Sequence, residues 1–123
     1  MKKIIIFLFL LSSFTQLNAQ SVNGISVEDI PAKYVEIVAQ PKMFKIFQVT
    51  IYLDYGQIGK MKDVKKGRIM GEDGRSMTFN GVMGALNILT KKGFNYVSQY
   101  LDTSGGNNVY HILLENTNYK EKE

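Results

Sequence analysis

Met77–Asn116, MTFNGVMGALNILTKKGFNYVSQYLDTSGGNNVYHILLEN, decides the fold, because its apolar pattern changes period and each change is punctuated by glycine. In Val82–Lys92, Val82, Ala85, Leu86 and Leu89 share one arc of roughly 100° at helical spacing, with Gly84, Asn87 and Lys91 opposite. Asn80 is the expected N-cap and Gly93 the expected C′ residue, and Lys91 and Lys92 suit the negative end of the helix dipole. Gly81 and Gly84 each cost about 1 kcal/mol against alanine, so this helix of three turns depends on a sheet to hold it. After Gly93 the period drops to two. Phe94, Tyr96, Ser98 and Tyr100 share a face, with Phe94 and Tyr96 expected toward the helix. A turn at Gly105-Gly106-Asn107-Asn108 leads into the strand Val109–Glu115. Both of its faces, Val109/His111/Leu113 and Tyr110/Ile112/Leu114, suit a core, so periodicity does not orient it.

Working outward, Phe44–Asp54 alternates as a strand with one packed and one wet face. Phe47, Val49, Ile51 and Leu53 lie on one side, and Gln48, Thr50, Tyr52 and Asp54 on the other. Its Phe44/Ile46 end is apolar on both sides and is expected to be covered by the N-terminal lead-in. Lys33–Ala39 is a second strand with Val35, Ile37 and Ala39 on one face, separated from the first by a turn at Gln40-Pro41-Lys42. Arg68–Met70 and Arg75–Phe79 flank an Asp73-Gly74 reversal and read as a short edge hairpin. The expected class is α+β: a single antiparallel sheet of four to six strands with one helix on one face, in the order β-β-β-β-α-β-β. The divisions are a signal peptide at 1–19, a loose lead-in at 20–32 with a short pairing segment near Ile25–Val27, one domain at 33–116 and a frayed polar tail at 117–123.

The 123 residues fit one domain. Lys2 and Lys3, the apolar run Ile4–Leu11 and the small polar stretch to Ala19 have the order of a secretory leader, and the run is too short to span a bilayer. Export to the periplasm or the extracellular space is therefore expected. Without Lys2 and Lys3 the formal net charge falls from +4 to +2, a weak pull on any polyanion. The chain contains no cysteine, which excludes disulfides and thiol chemistry and leaves stability to packing and backbone pairing.

Asp54-Tyr55-Gly56-Gln57, Phe79-Asn80, Ala85-Leu86-Asn87, Gly93-Phe94 and Asn108-Val109-Tyr110-His111 together resemble a family of small exported, uncharacterised proteins of Gram-negative bacteria. In that family Leu-Asn precedes a Gly-Trp-Glu helix-to-strand step and the last strand carries Val-Tyr-His. Phe94 and Asn95 stand here where the pattern has Trp and Glu, which keeps an aromatic ring and removes a charge. The resemblance implies an α+β domain and supplies no activity.

No catalytic, cofactor-binding or metal-binding set is expected. His111 is the single histidine, and no carboxylate stands near it at helical or strand spacing, so it reads as a sheet histidine hydrogen-bonded to a neighbour. Glu72-Asp73 belongs to a turn, and Asp54-Tyr55-Gly56 lacks every other kinase element. The one departure from a bland surface is Lys60, Lys62, Lys65, Lys66 and Arg68 against Asp63. This cluster is either a solvated edge that resists aggregation or a contact for an anionic lipid or acidic glycan. The expected function is a non-enzymatic binding or interaction module without a cofactor, working on an envelope protein, lipid or glycan and not on nucleic acid. The alternatives are a homo-oligomer built on the exposed sheet face and a small enzyme without a recognisable motif.

Overall fold

The computed structural model describes residues 20–44, 47–57 and 67–122. Chain order is β1 (Ser21–Val22), β2 (Ile25–Ser26), a 3-10 turn at Val27–Asp29, β3 (Tyr34–Pro41), β4 (Val49–Asp54), α1 (Val82–Lys91), β5 (Phe94–Asp102) and β6 (Val109–Asn116). The four long strands form one antiparallel sheet in the order β4-β3-β6-β5, and β1 and β2 form a separate small hairpin. The class is α+β with one helix against one sheet face, as expected.

The inner face is built from alternation. Val35, Ile37 and Ala39 of β3, Ile51 and Leu53 of β4, and Ile112 and Leu114 of β6 are buried beneath Ala85 and Leu89 of α1. The last strand is thereby oriented: Ile112 and Leu114 point in, His111 and Leu113 out. Pairing with β3 on one side and β5 on the other leaves this central strand a single register.

On β5 the structure departs from simple alternation. A bulge between Tyr96 and Ser98 inserts Val97, so Phe94 and Tyr96 share the helix side while Ser98 and Tyr100 move to the outer face. Phe94 is fully buried, whereas Tyr96 is half exposed.

The strand expected from Phe44 begins at Val49. Lys42 N–H donates to the Gln48 carbonyl at 3.0 Å, closing a loop in which Phe44 has φ 66°. Phe44 and Phe47 are 98% and 79% exposed, so the lead-in does not cover them; Ile46 lies outside the described residues. The Arg68–Met70/Arg75–Phe79 hairpin appears as single bridges, including Met70 to Ser76, with Gly71 N–H bonded to the Arg75 carbonyl at 2.8 Å. It lies along the free side of β4: Leu53 N–H reaches the Gly67 carbonyl at 2.7 Å, and Val49 N–H reaches that of Phe79 at 3.1 Å.

Two segments expected to be loose are held. In the lead-in, Asn23 and Gly24 both take positive φ (52° and 77°), the geometry of a two-residue hairpin turn that Asn-Gly adopts readily. That reversal delivers Val22, Val27 and Ile30 into the core. At the tail, Asn116 is buried and its amide donates to the carbonyls of Ile30 and Ala32 at 3.1 and 3.0 Å. Thr117 and Asn118 then bond the carbonyls of Gly93 and Lys92, both at 2.6 Å.

Helix α1 starts at Val82 with Gly81 at the cap position and no side-chain cap bond, where Asn80 was expected. Its end follows expectation. Lys92 N–H bonds the Leu89 carbonyl at 3.0 Å, and Gly93 takes φ 92°, a conformation that costs a side chain strain. A Cβ at Gly93 would also sit 2.9 Å from the Asn118 amide. The absence of a side chain here lets the tail close over the helix end.

Lys92 also reaches Glu28 of the 3-10 turn at 2.7 Å. The hydrogen bond from Lys92 is the main cause holding the Glu28 carboxyl below its ordinary value of 4.5, opposed by partial burial. Because the folded value is the lower one, the stabilisation is complete above the unfolded value and is lost as pH falls through the folded one. Glu28 is more than a third exposed, so screening keeps the contribution below about 1 kcal/mol. Urea denaturation on lowering the pH through the carboxylate range should show a slightly shallower loss for Glu28→Gln than for the parent. An unchanged slope would mean that the pair contributes nothing.

Candidate functional site

Among the sequence-derived site residues, Lys60, Lys62, Lys65 and Lys66 lie outside the described residues. Arg68 is described and exposed. It bridges Tyr52 on the edge of β4, and its guanidinium carbon lies 5.7 Å from the centroid of the Tyr52 ring. This places Arg68 at one end of a transverse row on the outer sheet face. Register runs from Arg68 to Tyr52, then to Val38, His111 and Tyr100, crossing β4, β3, β6 and β5 in turn. Opposed residues of an antiparallel ladder share a face, so these five side chains are neighbours although they come from distant parts of the sequence.

His111 is the best-fixed member of the row. Its Nδ1 lies 2.5 Å from Glu36 Oε1, and its ring stacks on Tyr100 with centroids 4.4 Å apart and planes 4° from parallel. Glu36 opposes Leu113, two positions from His111, so it reaches the imidazole diagonally across the β3–β6 ladder. The expected hydrogen-bonded sheet histidine is present. Its partner was missed because a separation of 75 positions hides the contact from any local spacing rule.

Beside the row lies a cleft of about 420 Å³. Val38, Gln40, Tyr52, Asp54, Asp102, Val109 and His111 of the sheet line it, together with Ser104, Gly105 and Asn107 of the β5–β6 loop. Asp102 shapes that loop. Its Oδ1 accepts from the Ser104 N–H at 2.9 Å and from the Ser104 hydroxyl at 2.6 Å, and these bonds hold its carboxyl below the usual range. Asp54 closes its own turn by accepting the Gly56 N–H at 3.0 Å. Loss of surrounding water, followed by the charges of Glu36 and Asp102, pushes the Tyr100 hydroxyl up.

Among the described residues, no group of three or more His, Asp or Glu side chains is placed to hold a metal ion. Asp73 accepts the Arg75 N–H at 3.0 Å, the turn role expected of it. A wider hollow of about 640 Å³ lies between the 3-10 turn and the tail. Glu28, Asp29, Lys120, Glu121 and Lys122 bring both signs of charge to it, and Glu28 is already paired with Lys92. Among the described residues no helix is long and apolar enough to cross a membrane. Comparison with known proteins finds no matching family model, no matching curated protein and no matching solved structure.

Proposed function

We propose that this chain is a non-enzymatic binding module, exported to the periplasm or extracellular space, whose outer sheet face takes a small organic cation. The observation that carries this reading is that Asp54 of β4 and Asp102 of β5 both line a cleft that Val38 and Val109 also line. Among the described residues no lysine or arginine lines it. An ammonium group entering such a space meets the negative charge of half-buried carboxylates, where attraction exceeds its bulk-water value. An apolar body attached to that group covers the valines, which favours an organic cation over a bare metal ion. The volume suits a small molecule, and Tyr52 and the stacked Tyr100–His111 pair give the ligand rigid aromatic neighbours.

Titration calorimetry with tetraethylammonium and with the diamine putrescine tests the reading. Saturable binding is expected, weakening about tenfold on Asp54→Asn or Asp102→Asn. It should also weaken as salt is raised. Absence of binding, or binding indifferent to both substitutions, would remove the proposal.

A further inference from the structure

We propose that β5 is an intermolecular edge, and that its partner is a second copy of this chain paired antiparallel to it, joining two four-stranded sheets into one of eight strands. The proposal is independent of the ligand reading, since it rests on the backbone edge and not on the cleft.

A sheet of four strands has two outer edges, and this chain treats them differently. The β4 edge is covered from within by bonds from Val49 and Leu53 to Phe79 and Gly67 and by the Tyr52–Arg68 bridge. The β5 edge is the last in the strand order, and among the described residues no segment pairs with its outer side. Nine residues long, β5 is exposed from Asn95 to Leu101. Such a row of unpaired N–H and C=O groups is a template for another strand unless something blunts it. The usual blunting residues are missing: Phe94–Asp102 contains no lysine, arginine or proline. The Val97 bulge interrupts only the upper part and leaves Ser98–Asp102 in regular register with β6.

The side chains along this edge are apolar beyond ordinary surface need. Tyr96, Val97, Tyr100 and Leu101 are 46–56% exposed, and Tyr110, which opposes Leu101, is 43% exposed. Leu101 and Tyr110 lie on the same face as the buried Ile112, so a core-facing strip continues to the sheet margin uncovered. Charge and symmetry favour a second copy as the occupant. The only charge in β5 is Asp102 at its end, so an antiparallel twofold places no like charges at the centre of the pair. Because one edge of each copy is free and the other is covered, pairing closes at two and cannot grow into a filament.

Sedimentation equilibrium of the purified protein is expected to give the mass of two copies. The double substitution Val97→Lys, Gln99→Lys sets like charges against each other across the twofold. It should raise the dissociation constant about tenfold or more while leaving the far-ultraviolet circular dichroism unchanged. A second measurement does not depend on that variant folding. In this cysteine-free chain, single substitutions Ser98→Cys, Gln99→Cys and Leu101→Cys are oxidised separately, with outer-face Thr50→Cys as the control. At least one of the three should yield a covalent dimer much faster than the control. A one-copy mass at the highest attainable concentration overturns the proposal, as does open-ended association. Cross-linking no faster at β5 than at Thr50 also overturns it.

Discussion

Phe94→Ala should lower the unfolding free energy by about 3–5 kcal/mol, the range for truncating a buried aromatic ring. Phe94 heads the fully buried side chains and is the first residue of β5, directly after the helix-ending Gly93. Its ring belongs to the cluster that contains Ala85, Leu89, Ile112 and Leu114, so it joins the helix to the sheet. Removing it leaves a void that α1 can fill only by moving toward β5, and the helix end is tied to the tail through Lys92, Gly93 and Asn118. That restraint keeps the site from collapsing, which places the loss toward the upper half of the range. Urea denaturation followed by circular dichroism measures it. A cost below about 1 kcal/mol would mean that the helix is not seated on Phe94.

Asn116→Ala is expected to cost about 1–3 kcal/mol, more than its loss of side-chain volume would suggest. The Asn116 amide donates to the carbonyls of Ile30 and Ala32, and its Oδ1 accepts the Asn118 N–H at 3.0 Å. One buried side chain thus joins the lead-in, the last strand and the tail. Alanine removes the donor to the Ala32 carbonyl, while the Ile30 carbonyl keeps the Ala32 N–H at 2.9 Å, and one buried group left unsatisfied costs about 1–3 kcal/mol. Asn116→Asp should be no better at neutral pH, because a carboxylate accepts hydrogen bonds and cannot donate to the two carbonyls. The check is again a denaturation midpoint, together with proteolysis near the tail. Parent-like stability in both variants would show that the three bonds are not holding the ends.

The alternation of Val35/Ile37/Ala39 and Val49/Ile51/Leu53, the Ala85/Leu89 stripe and the Gly93 stop were all legible in the sequence, because each is a local pattern with a local cause. What was not legible came from contacts between distant segments. The tail looked free to fray because it is polar, yet Thr117 and Asn118 use their polar groups to bond the Gly93 and Lys92 carbonyls at the helix end. Phe44 and Phe47 looked like strand residues because they are aromatic, but the chain must reverse between β3 and β4, and the reversal takes them out of the ladder. The Val97 bulge leaves no mark in a period-two pattern and shifts every later residue of β5 to the other face, which brings Tyr100 to His111. The candidate site has the same origin. Asp54, Asp102, Glu36 and His111 lie on four different strands, and only the β4-β3-β6-β5 order assembles them. Of the basic cluster that stood out in the sequence, Arg68 joins this face beside Tyr52.

Amide chemical shifts recorded while tetraethylammonium is added locate the ligand on one face or the other. Shifts should concentrate at Val38, Tyr52, Asp54, Asp102, Ser104, Val109 and His111, leaving Ala85, Leu89 and the tail unmoved, and they should diminish in Asp102→Asn. Shifts centred on the tail hollow, on the helix side of the sheet, or nowhere at all would contradict an outer-face cation site.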